Sequence, residues 1–280
     1  MPEGPECHIY ADLIHNEFTG LTMTDMSFTS GRYVKHSPPK DFHKFLDFLP
    51  MRLIDADCHG KMIFMKFKVT NLKHNQKYVW VVSNLGLSGK WSNKPFVEDP
   101  ENWKFNFKNK KGSKEKILYY SDIQSMGILR FMFDEDEFTK LLHSLGPDPI
   151  IQDIALSDFI AMLRRRTIES IVETLLNQKK ISGIGNYMRS EILYHAKIDP
   201  RIKTNELGNS EKTAKRLLKT INKKMRQSYN LFGPPKYGGT FVLNVYQRKT
   251  TDSGEKVNSY SGKNNRTVYH TFDANPDDSD

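Results

Sequence analysis

The sequence predicts an α+β chain in two dissimilar parts, β-rich first and helical second, closing on a β-hairpin. Three observations carry this expectation. Between Met51 and Tyr120 the apolar residues come in short runs or alternate with polar ones, the pattern of strands. Beyond about residue 150 they recur at the three- and four-residue spacing of amphipathic helices. Between these regions lies Leu145-Gly146-Pro147-Asp148-Pro149, whose glycine and prolines end a short helix and form a natural linker.

Taken in order, Ile9, Tyr10, Leu13, Ile14 and Phe18 have helical spacing and predict a helix over 6–18. Met51 to Asp57 and Met62 to Val69 read as strands flanking Cys58-His59-Gly60-Lys61, with Lys66 and Lys68 alternating against Met65, Phe67 and Val69. Tyr78 to Leu85 reads as a fully buried strand. Trp103 to Phe107 and Ile117 to Tyr120 read as a hairpin around the basic turn Lys108-Asn109-Lys110-Lys111-Gly112. Strands closing on one another predict a sandwich or a barrel-like first domain. In the second part, Ile168, Ile171, Val172, Leu175 and Leu176 define one apolar helical face, and Ala214, Leu217, Leu218, Ile221 and Met225 another. From Gly233 onward, the run Phe241, Val242, Val245, Tyr246 and a second run Thr267, Val268, Tyr269 are expected to pair as a terminal hairpin.

A chain of 280 residues fits two domains with ordinary cores, and a net charge of +9 points to a polyanionic partner, whether DNA, RNA or an acidic membrane. The folded part is more basic still, because Asp273-Ala274-Asn275-Pro276-Asp277-Asp278-Ser279-Asp280 reads as a disordered acidic tail. Cys7 and Cys58 are too few for a disulfide framework or a thiolate zinc site and fit a reducing compartment. No apolar run is long enough to span a bilayer, and the start lacks the blocks of a signal peptide. The expectation is an intracellular protein, nuclear or cytoplasmic, with no secretion and no membrane.

Two motifs carry chemistry. In Met1-Pro2-Glu3-Gly4-Pro5-Glu6, removal of the initiator methionine leaves Pro2 with a free secondary amine, a nucleophile that can form an iminium with a sugar carbon. Glu3 beside it could move the proton that ring opening needs; the alternative is a frayed polar terminus. In Gln178-Lys179-Lys180-Ile181-Ser182-Gly183-Ile184-Gly185-Asn186, two glycines and a polar residue open a helix, where free backbone N–H groups can receive a phosphate. The alternative there is an ordinary turn capped by Asn186.

The sequence resembles the formamidopyrimidine-DNA glycosylase/endonuclease VIII (Fpg/Nei) family, most of all its Nei-like members with a zincless finger. Four components lie in register: Pro2-Glu3-Gly4-Pro5-Glu6, Gly60-Lys61, residues 178 to 200, and Asn265-Arg266-Thr267. The resemblance implies an N-terminal β-sandwich with flanking helices over 1–145, a helix-two-turn-helix domain over 146–236, a zincless β-hairpin finger over 237–272, and the tail over 273–280. It implies a bifunctional DNA glycosylase/AP lyase of base excision repair. The catalytic residues would be Pro2, Glu3, Lys61 and Arg266. Asn186, Gly185, Lys61 and Arg266 would contact DNA, and Leu87, Gln124 and Met126 would fill the site vacated by an extruded base. Glu6 would support the catalytic pair, or simply cap the first helix. No cofactor and no metal are implied, and the partner is damaged DNA, duplex or single-stranded, bound by a monomer.

The chain also departs from the family pattern. No cysteine lies in residues 240 to 272, Gln124 stands where many relatives carry arginine, and only Tyr237 to Val245 separates the helices from the finger. The short segment, with Gln124, moves the expected substrates from 8-oxoguanine toward oxidised pyrimidines and hydantoin or ring-opened lesions, and the missing cysteines leave the hairpin to packing and hydrogen bonds. The competing readings are a catalytically silent DNA-binding protein on the same scaffold and an RNA-binding module.

Overall fold

In the computed structural model the described residues are 1–71, 74–108, 115–165, 169–231, 241–263 and 265–273, together with the backbone of 232 and 264. They form two units, Met1–Pro2 with Glu6–Ser144 and Glu3–Pro5 with Leu145–Asp280. Ile168, the turn residues 109–112, residues 237–240 and the tail from 274 lie outside the described residues.

The first unit contains most of helix α1 (Gly4–Phe18), the short helices α2 (Arg32–Lys35) and α3 (Phe42–Asp47), and α4 (Glu135–His143). Its strands are β1 (Thr22–Phe28), β2 (Met51–His59), β3 (Met62–Val69), β4 (Tyr78–Asn84), β5 (Lys90–Ser92), β6 (Trp103–Lys108), β7 (Lys116–Ser121) and β8 (Ile128–Met132). They pair antiparallel in the order β5-β7-β6-β1-β2-β3-β4-β8. β1 and β2 share only the pairs Thr22↔Arg52 and Met23↔Met51, so the sheet divides there into two four-stranded halves. Side chains of both halves meet in one core: the rings of Phe67 on β3 and Phe107 on β6 stack with centroids 6.5 Å apart, and Phe18 of α1 lies 5.0 Å from Phe107. That is the sandwich alternative, and each fully buried aromatic or aliphatic side chain contributes about 1.5–3 kcal/mol to it.

The second unit holds α5 (Leu156–Arg164), α6 (Ile171–Leu176), α7 (Asn186–Ala196), α8 (Thr204–Gly208) and α9 (Glu211–Phe232), followed by β9 (Asn258–Ser261) and β10 (Thr267–His270). α6 starts where it does because Ser170 and Glu173 form a reciprocal capping box. Ala214, Leu217, Leu218, Ile221 and Met225 are all buried along one face of α9, as their spacing predicts.

The terminal hairpin differs from expectation in its first strand. Thr267 to His270 pairs with Asn258 to Ser261, and residues 241–246 form no strand. The backbone N–H groups of Asn244, Val245 and Tyr246 instead converge on the Glu191 carboxylate at 2.9, 2.9 and 3.0 Å. A buried anion therefore takes the donors that a strand ladder would have used.

Candidate functional site

The amino terminus is built into the fold. Glu3 is fully buried, and its two carboxylate oxygens accept N–H groups of Gly185 at 2.6 Å, Tyr187 at 2.9 Å and Met188 at 3.2 Å. These are the otherwise unpaired donors at the start of α7, so Glu3 acts as a cap supplied from far away in sequence. Such convergence favours the ionised carboxylate. Gly4 donates its N–H to the Gly183 carbonyl at 2.8 Å, and a Cβ on Gly4 would lie 2.9 Å from Gly183 Cα, so two glycines are needed for this approach. Gln178 shapes the loop below: its side chain accepts the N–H of Gly183 and donates to the carbonyls of Leu176 and Ile184, each at 2.9 Å. Pro2, next to Glu3, is half-buried, and Glu6 lies in the first turn of α1, where a negative charge suits the helix end.

Two expectations change here. The cap of α7 is Gly185, with Asn186 the first helical residue, and the Gly185 N–H assigned to a phosphate is engaged by Glu3. Sequence spacing could not show this, because the capping carboxylate lies more than 180 residues away. Asn186 is itself buried: its Nδ2 donates to the Thr267 carbonyl at 3.3 Å, and its Oδ1 accepts from Arg189 at 2.5 Å.

Arg189, which the sequence reading missed, fastens the finger to this helix. It is buried, it donates to Thr267 O at 3.0 Å, and its Nε has no hydrogen-bond partner. Burial pulls its guanidinium down to about 10, with Tyr260 and Glu3 opposing that shift and Arg266 adding to it. Its position three residues after Asn186, one helical turn along the same face, was the available signal. Arg266 is exposed at the finger tip, just beyond the left-handed Asn265, and its carbonyl accepts the Gly262 N–H at 3.0 Å.

In the first unit, Lys61 occupies the two-residue turn between β2 and β3, after Gly60, whose φ of 61° suits the glycine position of such a hairpin. Its carbonyl accepts from Asn84 Nδ2 at 3.2 Å, which ties the turn to β4. Leu87 and Met126 are 39% and 50% exposed, on loops that touch: a Cβ on Gly86 would lie 2.8 Å from the Met126 carbonyl carbon. Gln124 lies between them in sequence and donates its backbone N–H to Ser88 Oγ at 3.0 Å. Ile123 on the same loop is 63% exposed. Thus three apolar side chains face solvent from adjoining loops, a surface that needs a reason. No helix among the described residues is long and apolar enough to cross a membrane.

A two-part chain with a sandwich and a helical domain ending in a hairpin, its amino terminus capping a buried helix, defines a class of two-domain proteins whose first residues are structural. Residues 1–129 match the formamidopyrimidine-DNA glycosylase N-terminal domain, and residues 145–232 match the formamidopyrimidine-DNA glycosylase H2TH domain. The chain belongs to the Fpg/Nei family of DNA glycosylases. It is 26% identical to a formamidopyrimidine-DNA glycosylase of Listeria monocytogenes, covering 94% of this chain and 87% of that one. It is also 26% identical to an endonuclease 8 of Pectobacterium atrosepticum, covering 96% and 95%. In fold it is similar to Lactococcus lactis formamidopyrimidine-DNA glycosylase non-covalently bound to DNA containing an AP site, with TM-score 0.76, 20% identity, and coverage of 96% of this chain and 97% of that one.

Proposed function

We propose that this chain is a bifunctional glycosylase/AP lyase for oxidised bases in DNA, acting through the Pro2 amine. The observation that carries the reading is the capping of α7 by Glu3: a frayed terminus would not bury its third residue under three hydrogen bonds. With methionine removed, the Pro2 nitrogen loses a proton and attacks C1′, and the damaged base leaves with the glycosidic electron pair. The Glu3 carboxylate takes the ammonium proton and returns it to O4′ as the C1′–O4′ bond opens, leaving an iminium. Loss of a C2′ proton then expels the 3′ phosphate, and a second elimination expels the 5′ phosphate. Lys61 and Arg266 hold phosphates near the lesion, Asn186 sets the helix end against the finger, and Leu87, Gln124 and Met126 fill the vacated site.

The substrates are oxidised pyrimidines and hydantoin or ring-opened lesions, ahead of 8-oxoguanine. Gln124 supports this, because an amide stabilises the vacated site less than a guanidinium would, which favours lesions that already stack poorly. The deciding experiment is borohydride trapping on an abasic oligonucleotide followed by mass mapping. An adduct on Pro2, lost in Pro2→Gly, is expected. An adduct on Lys61, or no adduct alongside tight DNA binding, refutes the mechanism, and the latter outcome returns the silent DNA-binding reading. Single-turnover rates on matched duplexes test the ranking, which fails if 8-oxoguanine is released as fast as thymine glycol, 5-hydroxyuracil, dihydrouracil or hydantoins.

A further inference from the structure

The loops carrying Leu87 and Met126 share one buried anion. Asp122 is 1% exposed, and both its carboxylate oxygens are engaged: Oδ1 accepts the Ser88 hydroxyl, and Oδ2 accepts the Gly127 N–H at 2.6 Å. Ser88 Oγ accepts the Gln124 N–H in turn, the Asp122 carbonyl accepts the Ser125 N–H at 3.0 Å, and the Asp122 N–H donates to Asn102 Oδ1 at 2.5 Å. The carboxylate thus bonds to the loop before β5 through Ser88 and to its own loop through Gly127.

Packing closes what the hydrogen bonds begin. The Tyr120 hydroxyl donates to Leu85 O at 3.2 Å, and a Cβ on Gly89 or Gly127 would lie 2.2 or 2.0 Å from the Tyr120 hydroxyl oxygen. A Cβ on Gly86, at φ 66°, would lie 2.8 Å from the Met126 carbonyl carbon and 2.9 Å from Gly127 N. Side chains are therefore excluded at 86, 89 and 127, and the two loops dovetail without slack. Burying a carboxylate is costly unless every bond is made, and here the ordered product is a platform presenting exposed apolar side chains. Loop order established before binding is order that binding need not supply.

We propose that Asp122 is a positioning residue that locks the Leu87 and Met126 loops into one wedge, on which extrusion of a lesion from duplex DNA depends. The chemistry at an abasic site in single-stranded DNA, where nothing has to be extruded, does not depend on it. The proposal rests on the glycosylase reading above and refines how the vacated site is filled.

The test uses the full chain with Asp122→Ala, Asp122→Asn, Ser88→Ala and Leu87→Ala. One substrate is a dihydrouracil duplex with 2-aminopurine opposite the lesion, and the other is a single-stranded abasic oligonucleotide with borohydride. Asp122→Ala should lose about tenfold or more in single-turnover excision, together with the fluorescence rise on binding, while trapping on the single strand stays within about twofold of the parent. Asp122→Asn should recover most of the loss, because an amide can accept from Gly127 and donate to Ser88. Leu87→Ala added to Asp122→Ala should cost little further, since both remove the same wedge. An Asp122→Ala protein with parental duplex rates and fluorescence overturns the proposal, as does an equal loss on both substrates. Should Asp122→Ala fail to fold, Ser88→Ala is expected to show the same selective loss in milder form, and parental behaviour there overturns it. The 2-aminopurine signal needs binding but no strand cutting, so it tests the wedge even if the parent traps no abasic strand and the glycosylase reading falls.

Discussion

Replacing Glu3 by glutamine separates its structural work from its chemistry. The carboxylate accepts three backbone N–H groups, two on Oε2 and one on Oε1. A glutamine placed with its carbonyl at Oε2 keeps Gly185 and Met188 but turns an amide N–H toward the N–H of Tyr187. One charge-assisted bond is lost and a buried donor is left unpaired, a cost of about 1.5–3 kcal/mol. Loss of the negative charge at the start of α7 adds about 0.3–2 kcal/mol. Burying a neutral amide in place of a carboxylate gives part of this back, and the net expectation is on the order of 2–3 kcal/mol. Trp80, Trp91 and Trp103 are buried in the first unit, whereas α5, α7 and α9 belong to the second. Urea unfolding followed by tryptophan fluorescence therefore reports the first unit, far-UV circular dichroism reports both, and Glu3→Gln should lower the dichroism midpoint while leaving the fluorescence midpoint in place. A variant whose two transitions both stay within about 0.5 kcal/mol of the parent would show that the cap contributes nothing to stability. Any loss of activity would then belong to chemistry alone.

Three further outcomes follow from the same geometry. DNA affinity should fall steeply with salt, and Arg266→Ala should cost about 1–3 kcal/mol of binding on unrelated lesions, with filter binding at several ionic strengths as the check; an unchanged affinity means the finger tip does not meet DNA. His195 is depressed below its ordinary 6.5 by burial and by Lys224 and Lys223, against Glu191. Its neutral form is favoured in the fold, so the stability it contributes is complete above pH 6.5 and is lost as pH falls through its lowered value. His195→Gln should flatten that slope between about pH 7.5 and pH 5 in denaturant melts, and an unaltered slope refutes the assignment. Gly89→Ala should destabilise the first unit by about 1–3 kcal/mol, read by tryptophan fluorescence, because the added methyl meets Leu85 O at 2.2 Å; a neutral result would mean that the loop has slack.

Legibility followed the chemistry of each segment. The strands β2, β3, β4, β6 and β7 were readable because apolar residues alternate or run together along them, and α9 because its apolar face repeats over about three turns. β9 was not: Asn258-Ser259-Tyr260-Ser261 has no apolar run, and Tyr260 alone hints at a strand. The apolar run at 241–246 drew the hairpin to itself because nothing local reveals that Glu191 takes its N–H groups. At the candidate site, Pro2, Glu3, Lys61 and Arg266 stood out by resemblance, but the partners of Glu3 and the cluster around Asp122 depend on residues far apart in sequence. The glycines at 86, 89 and 127 were the visible trace of that cluster, since each marks backbone too close for a side chain.

Glu191 also bears on the conditions under which such a protein works. The segment leading into the finger is fastened by a carboxylate and three peptide N–H groups, and no thiol lies between residues 240 and 272. Peroxide converts exposed thiolates stepwise to sulfenic and higher acids, and a carboxylate has no equivalent reaction. Both cysteines of the chain are buried in the first unit, away from solvent oxidants. The anchor of the hairpin is thus made from groups that reactive oxygen leaves alone, and it stays intact under the very stress that oxidises bases in DNA.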